Sequence, residues 1–209
     1  EKKLDFKFLL ILRFSLINII GFTFLFVTYS QGYITKAIDA DITNVILLIF
    51  VLFILGFLIS SVRAFWISKQ LNYAEAKSQN KNSIAYQYQS NIKGLDASSR
   101  NNLASSVRIK LAGKINFIKF IANTLVILGL IGTVIGFIIA LSGVEAGVSS
   151  NPEEISKMIT TLIQGMSVAL YTTLAGSICS VWLNICYHIL SSGANKLLSK
   201  IIEVGEIKQ

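Results

Sequence analysis

Four long stretches of the chain carry no Asp, Glu, Lys or Arg: Phe14 to Thr35, Ile42 to Val62, Phe120 to Val144 and Met158 to Asn195. About 20 apolar residues wound as a helix cross about 30 Å of hydrocarbon, so each stretch predicts a membrane-spanning helix. Between the second and third stretches, continuous apolarity gives way to helical period. Tyr73, Ala76, Ile84, Tyr88 and Ile92 continue the second span, and Lys93-Gly94-Leu95-Asp96 supplies a turn. Leu103, Val107 and Leu111 then recur every fourth residue and lead into the third span. Gly94 is the expected helix stop, and Asp96 or Ser98 the expected N-cap of the next helix. After Ser191, Leu197, Leu198, Ile201 and Ile202 fall on one side, with Lys196, Lys200 and Glu203 elsewhere. That pattern predicts an amphipathic helix, and it leaves open whether the helix meets the bilayer or a neighbouring chain.

Composition agrees with this pattern and excludes one class outright. The chain is 53% hydrophobic and 14% charged, whereas a soluble domain carries about 25% charged residues. A soluble enzyme is therefore ruled out. The net charge of +8 could by itself signal nucleic acid, but the positions of the charges assign it to topology. Ten Lys and Arg residues lie from Arg63 to Lys119 against only Glu75 and Asp96. Positive residues stay on the cytoplasmic side, which makes this segment cytoplasmic. The loop from Tyr29 to Asn44 has Lys36, Asp39 and Asp41, and the loop from Gly143 to Lys157 has Glu145, Glu153 and Glu154 with one lysine. Both read as external. The amino-terminal Lys2, Lys3, Lys7 and Arg13 and the tail's Lys196, Lys200 and Lys208 then fall inside, so both termini are cytoplasmic.

The fold class expected is all-α: a polytopic membrane protein with four transmembrane helices and a cytoplasmic helical hairpin between the second and third. The segments divide as 1–67 (two lipid-facing spans), 68–114 (hairpin), 115–190 (third and fourth spans) and 191–209 (tail). The first apolar run continues past Arg13 with no small-residue cleavage site and is expected as a mature span. Cys179 and Cys186 lie two helical turns apart, too far for a disulfide. No cluster has metal-ligand spacing, no phosphate loop follows a strand, and no nucleophile has a base available. The expectation is a chain with no catalytic residue, no metal and no cofactor, which contacts membrane lipid and not nucleic acid.

Candidate chemistry is confined to the last two spans. At about 100° per residue, Gly129, Gly132, Thr133, Gly136 and Ala140 share one side of the third helix. Gly165, Ala169, Thr172, Thr173, Gly176 and Cys179 do likewise on the fourth. Small faces let membrane helices approach closely, and a membrane threonine commonly bonds its own helix at the i−4 carbonyl. Asn18, Asn44, Asn123, Gln164 and Asn184 are further candidates for pore lining or sodium coordination, with bonding across helices as their commoner role. His188 reads as interfacial.

The sequence Gly129-Leu-Ile-Gly-Thr-Val-Ile-Gly136, followed by Gly165-Met-Ser-Val-Ala-Leu-Tyr-Thr-Thr-Leu-Ala-Gly176, resembles the MotA/TolQ/ExbB family of ion-driven motor subunits. The family pattern is approximately GLxGTVxG in one span and GxxxALxxTxxG in the next, with Thr133 and Thr173 as the framework threonines. Val126 and Trp182 stand near positions where the family commonly has proline, and Val168 where some members carry an acid. The resemblance implies a homo-pentamer around two copies of a single-span MotB/ExbD/TolR-like partner whose transmembrane Asp takes up H+ or Na+. It also implies that Thr133, Thr173 and the adjacent Thr172 line the ion path, with Gly129, Gly132, Gly136, Gly165, Ala169 and Gly176 packing helices at the central pore. Residence in a bacterial inner membrane follows from the same likeness. The residues agree in one respect: no Asp, Glu, Lys or Arg lies inside any span, so a carboxylate must come from elsewhere. A non-conducting homo-oligomeric scaffold held by the same small faces is the alternative. A solute transporter is disfavoured, because neither a broken helix nor an inverted repeat is visible.

Overall fold

The structure, a computed structural model, describes residues 8–75, 83–92, 94–145 and 152–206. Lys2, Lys3, Lys7, Ala76, Lys77, Lys81, Lys93 and Lys208, which carry topology, helix-continuation or turn roles in the sequence, lie outside the described residues. Six helices follow in order: α1 (Leu9–Ser30), α2 (Tyr33–Ala40), α3 (Val45–Glu75), α4 (Ile84–Ile92), α5 (Ala97–Glu145) and α6 (Pro152–Glu206). No strand occurs among the described residues, and α1, α3, α5 and α6 are long and apolar enough to cross a membrane. The protein is an all-α, multi-pass membrane protein. At about 1.5 Å per residue, α5 and α6 run about 73 and 82 Å, well beyond about 30 Å of hydrocarbon.

Two elements differ from expectation. The loop between the first two spans contains α2, which follows Gly32 in the left-handed region (φ +75°). Asp41 closes α2 and begins α3. Its carboxylate accepts hydrogen bonds from the Thr43 N–H (3.0 Å), the Thr43 hydroxyl (2.6 Å) and the Ile46 N–H (2.6 Å). A helix start leaves its first N–H groups without partners and carries positive dipole charge, and a carboxylate answers both. The second difference is that fourth span and tail form one unbroken helix. Hydropathy changes near Ser191, but nothing in Ser191-Ser-Gly-Ala breaks the backbone.

The chain divides into two compact units that interleave in sequence. The first comprises Glu1–Ile19, Leu58–Lys119 and Ile185–Gln209. Ile67, Leu71, Leu111, Ile115, Leu197 and Ile201 are buried in it. Here the end of α6 packs on its own chain: Gln89 Nε2 donates to the Val204 carbonyl at 3.1 Å, and Gly205 sits against Tyr88 and Ile92. Gly94 is left-handed at φ +77°, with the Leu95 N–H donating to the Ile92 carbonyl at 3.2 Å. Asp96 then precedes α5, and its hydrogen bond to the Ser99 side chain holds the carboxyl below the usual range.

The second unit comprises Ile20–Phe57 and Phe120–Asn184. Its aromatic centre is Trp182, with Phe22 and Phe53 ring centroids at 5.3 and 5.2 Å. The indole occupies the space that a side chain at Gly21 would need. Phe22 is therefore partly committed to this cluster and not only to lipid.

Candidate functional site

The small faces of α5 and α6 meet directly inside the second unit. A Cβ placed on Gly136 would lie 2.5 Å from the Ala169 amide nitrogen and 2.6 Å from the Gly165 carbonyl oxygen. One on Gly176 would lie 2.6 Å from the Leu125 carbonyl oxygen, and one on Gly132 would strike Thr172 at 2.5 Å. Gly165 is similarly pressed on Ala140, while Gly129 faces the Thr172 carbonyl at 3.1 Å. At Gly132, Gly136, Gly165 and Gly176 these contacts lie well inside ordinary carbon separations of about 3.5–4.0 Å, so a side chain there forces its surroundings to shift, whereas at Gly129 a few tenths of an ångström would suffice. All six residues assigned to helix packing, Gly129, Gly132, Gly136, Gly165, Ala169 and Gly176, lie in this seam. It joins two helices of the same chain. The contact also extends to Gly143 against Thr161, one more small pair in the same register; the period of three to four residues from Gly136 through Ala140 to Gly143 is its sequence signal.

The close approach fixes two hydroxyls at the seam's edge. Thr133 Oγ1 donates to its own helix at the Gly129 carbonyl (3.0 Å), and Thr173 Oγ1 does so at the Ala169 carbonyl (3.1 Å). Each also reaches across: Thr173 Oγ1 lies 3.3 Å from the Gly129 carbonyl and Thr133 Oγ1 3.4 Å from the Ala169 carbonyl. The two hydroxyls are in hydrogen-bond contact with each other. Two hydroxyl oxygens and two carbonyls thus converge, with Thr133 half-buried and Thr173 exposed. Leu130 and Phe137, and on α6 Leu170 and Ser177, are the i−3 and i+4 neighbours of the pair and are also exposed.

Thr172 differs from the pair with which the sequence groups it. It is fully buried against Gly132, with its hydroxyl donating to the Val168 carbonyl at 2.8 Å. Its place is inside the seam, one residue and about 100° around the helix from Thr173. The amides are dispersed. Asn184 donates to the Ser180 carbonyl at 3.1 Å, and buried Asn18 donates to the Phe14 carbonyl at 2.7 Å and faces the Cys186 thiol. Asn123, Gln164 and His188 are exposed, and Asn44 sits in the turn before α3 at φ +58°. None of these joins the threonine pair. Among the described residues no three His, Cys, Asp or Glu side chains cluster as a metal site.

The sequence model of the MotA/TolQ/ExbB proton channel family matches residues 75–203, more than half of the chain. The matched region holds α4, α5 and all but the last residues of α6, and so the whole seam and both threonines. No curated protein and no solved structure matches the chain.

Proposed function

Because the chain belongs to the MotA/TolQ/ExbB proton channel family, we propose that it is an ion-conducting motor subunit of a bacterial inner membrane. Five copies surround two copies of a single-span MotB/ExbD/TolR-like partner and convert proton or sodium motive force into rotation or mechanical work. Both termini lie in the cytoplasm, as the distribution of Lys and Arg favours.

The observation that carries this reading is the Thr133–Thr173 pair at the open edge of a glycine seam. One hydroxyl proton is shared within the pair and the other has a carbonyl to point at, which leaves oxygen lone pairs for a visitor. Lone pairs suit a protonated carboxyl or a sodium ion. Turned the other way, the same hydroxyls donate to a carboxylate. The pair therefore accommodates both states of a titrating acid without moving the backbone. Phe120 to Val144 and Met158 to Asn195 contain no Asp, Glu, Lys or Arg, so the titrating acid is the partner's transmembrane Asp. Ion flow alternately neutralises and releases that carboxylate. The mismatch between five subunits and two partner helices leaves one partner helix engaged at a time, which favours rotation.

Thr173→Val tests this with little change of volume. The expected result is ion flux reduced about tenfold or more in proteoliposomes holding chain and partner, corresponding to loss of a hydrogen bond of about 1.4 kcal/mol in the rate-limiting state. Native mass spectrometry should still report the wild-type stoichiometry. Unchanged flux with normal assembly rules the pair out as the ion path. A homo-oligomer with no partner and no flux favours the scaffold.

A further inference from the structure

We propose that the first compact unit binds a phosphate-type anion in the cavity that α3, α4 and α5 form around Lys110 and Lys114. The cavity measures about 400 Å3, and all of its lining residues belong to that unit. Lys110 and Lys114 are four residues apart on α5 and share a helix face. Across from them, Gln70, Gln87 and Asn91 supply amides and Ser106 a hydroxyl. No acidic side chain is among the lining residues, and among the described residues neither lysine is paired with a carboxylate.

Lys114 is the more constrained of the two cations. Its Nζ lies 3.6 Å from the centroid of the Trp66 ring, a contact that orients the ammonium and leaves its charge uncompensated. Burial, and after it the charge of Arg63, holds Lys114 below the ordinary lysine range. An anion in the cavity relieves both. Two ammonium groups backed by several neutral donors match phosphate, which has charge and several acceptor oxygens to satisfy. The tendency of basic residues to collect on the cytoplasmic side accounts for lysines here. It does not account for their gathering with neutral polar side chains around one cavity, open to solvent at Lys110, Gln87 and Asn91.

Depth also points to phosphate. Trp66 lies four residues beyond Val62 and Lys114 six before Phe120, which at about 1.5 Å per residue is within about 10 Å of the apolar boundary and near headgroup level. Lys110 is a further turn away from that boundary. The cavity therefore reaches from the headgroup layer toward water, open to a phospholipid headgroup or to a soluble phosphate. It shares no residue with the threonine pair, so it stands or falls independently of ion conduction.

The test uses the full chain, with its partner if one co-purifies, in nanodiscs. In one arm, the discs contain phosphatidylcholine with or without phosphatidylglycerol, and native mass spectrometry counts retained lipid per chain. In the other, pyrophosphate is titrated into pure phosphatidylcholine discs and tryptophan emission is followed, with Trp66→Phe identifying the responding residue. Saturable phosphatidylglycerol retention supports the site with a lipid source, and a saturable pyrophosphate response lost in Trp66→Phe supports it with a soluble one. The double variant Lys110→Gln/Lys114→Gln is expected to weaken either by about tenfold or more. Lys69→Gln, which removes the same kind of charge outside the cavity, should change either less than twofold. Silence in both arms overturns the proposal, as does equal weakening by Lys69→Gln.

Discussion

Gly113 and Gly136 lie in the same helix, and the structure predicts opposite consequences for the same substitution at each. At Gly136 a methyl group would sit 2.5 Å from the Ala169 nitrogen, 2.6 Å from the Gly165 oxygen and 2.8 Å from the Ala169 Cα. All three are backbone atoms, so no flexible side chain can turn aside. Restoring about 3.5 Å requires α5 and α6 to part by about 1 Å. A gap of that size forfeits a quarter to a half of each dispersion contact nearby, and the contacts from Gly129 to Gly143 share it. Overpacking of this kind costs about 3 kcal/mol at its upper range. Alanine recovers up to about 1 kcal/mol because it is the better helix former. The expected net loss is about 2 kcal/mol.

At Gly113 nothing lies within 4 Å of the added methyl, so only the propensity gain of about 0.5–1 kcal/mol remains. For a chain of this size, about 1 kcal/mol moves a melting midpoint by about 2–4 °C. Gly136→Ala should therefore melt about 4–8 °C below wild type in mild detergent, and Gly113→Ala about 1–4 °C above it. Size-exclusion chromatography on the same samples checks that the assembly state is held constant. If Gly136→Ala melts at or above wild type, the α5–α6 seam is not as close as described, and the placing of the Thr133–Thr173 pair loses its basis.

Two further outcomes follow from helix ends. Asp41→Ala removes three hydrogen bonds and a favourable charge at the start of α3, and should cost about 1–2 kcal/mol, read as a fall in melting temperature that Asp41→Asn partly restores. Asp96 has its folded-state carboxyl held low by Ser99, so its contribution is present above the unfolded carboxyl's pKa and is lost as pH falls through the folded value. Thermal scans should show Asp96→Asn less stable than wild type near neutral pH, with the small gap closing in strong acid; a gap independent of pH refutes the assignment.

The parts of this architecture that depend on chain-local quantities were legible in the sequence. Charge-free length locates the spans, because hydrocarbon thickness fixes how many residues a helix needs. Helical phase places Gly129, Gly132 and Gly136 on one side, because 3.6 residues per turn holds whatever the neighbours are. What needs a second element was not legible. Thr172 and Thr173 differ by one step of phase, and only the crossing of α5 and α6 decides that Thr172 is buried under Gly132 and Thr173 left at the edge. The polar Asp41 resembles a loop charge until α3 is seen to start beneath it. At Ser191 a change of hydropathy suggested a boundary, yet hydropathy describes the surroundings, and the backbone of α6 continues. Trp182 stands near a family proline position; its N–H permits an unbroken helix, and the room for its indole comes from Gly21, distant in sequence.

The seam also constrains where motion in the proposed motor can occur. Glycines along a helix invite the idea that the helices slide on each other. Here Gly129, Gly136, Gly165 and Gly176 face backbone of the same chain, at distances that leave no clearance. Sliding would move these glycines off the backbone atoms they face and bring residues with side chains into the same space. Across the seam α5 and α6 therefore behave as one body, as close-packed surfaces with discrete registers do. In the proposed motor, the boundary left to move is the exposed face that bears Thr173, Leu130 and Leu170. The threonine pair sits where these two requirements meet: its carbonyl partners belong to the rigid seam, and Thr173 is exposed at the boundary. Under the proposed function, a fixed pair presenting the same oxygens to successive carboxylates would need no conformational change in its own chain to bind and release them.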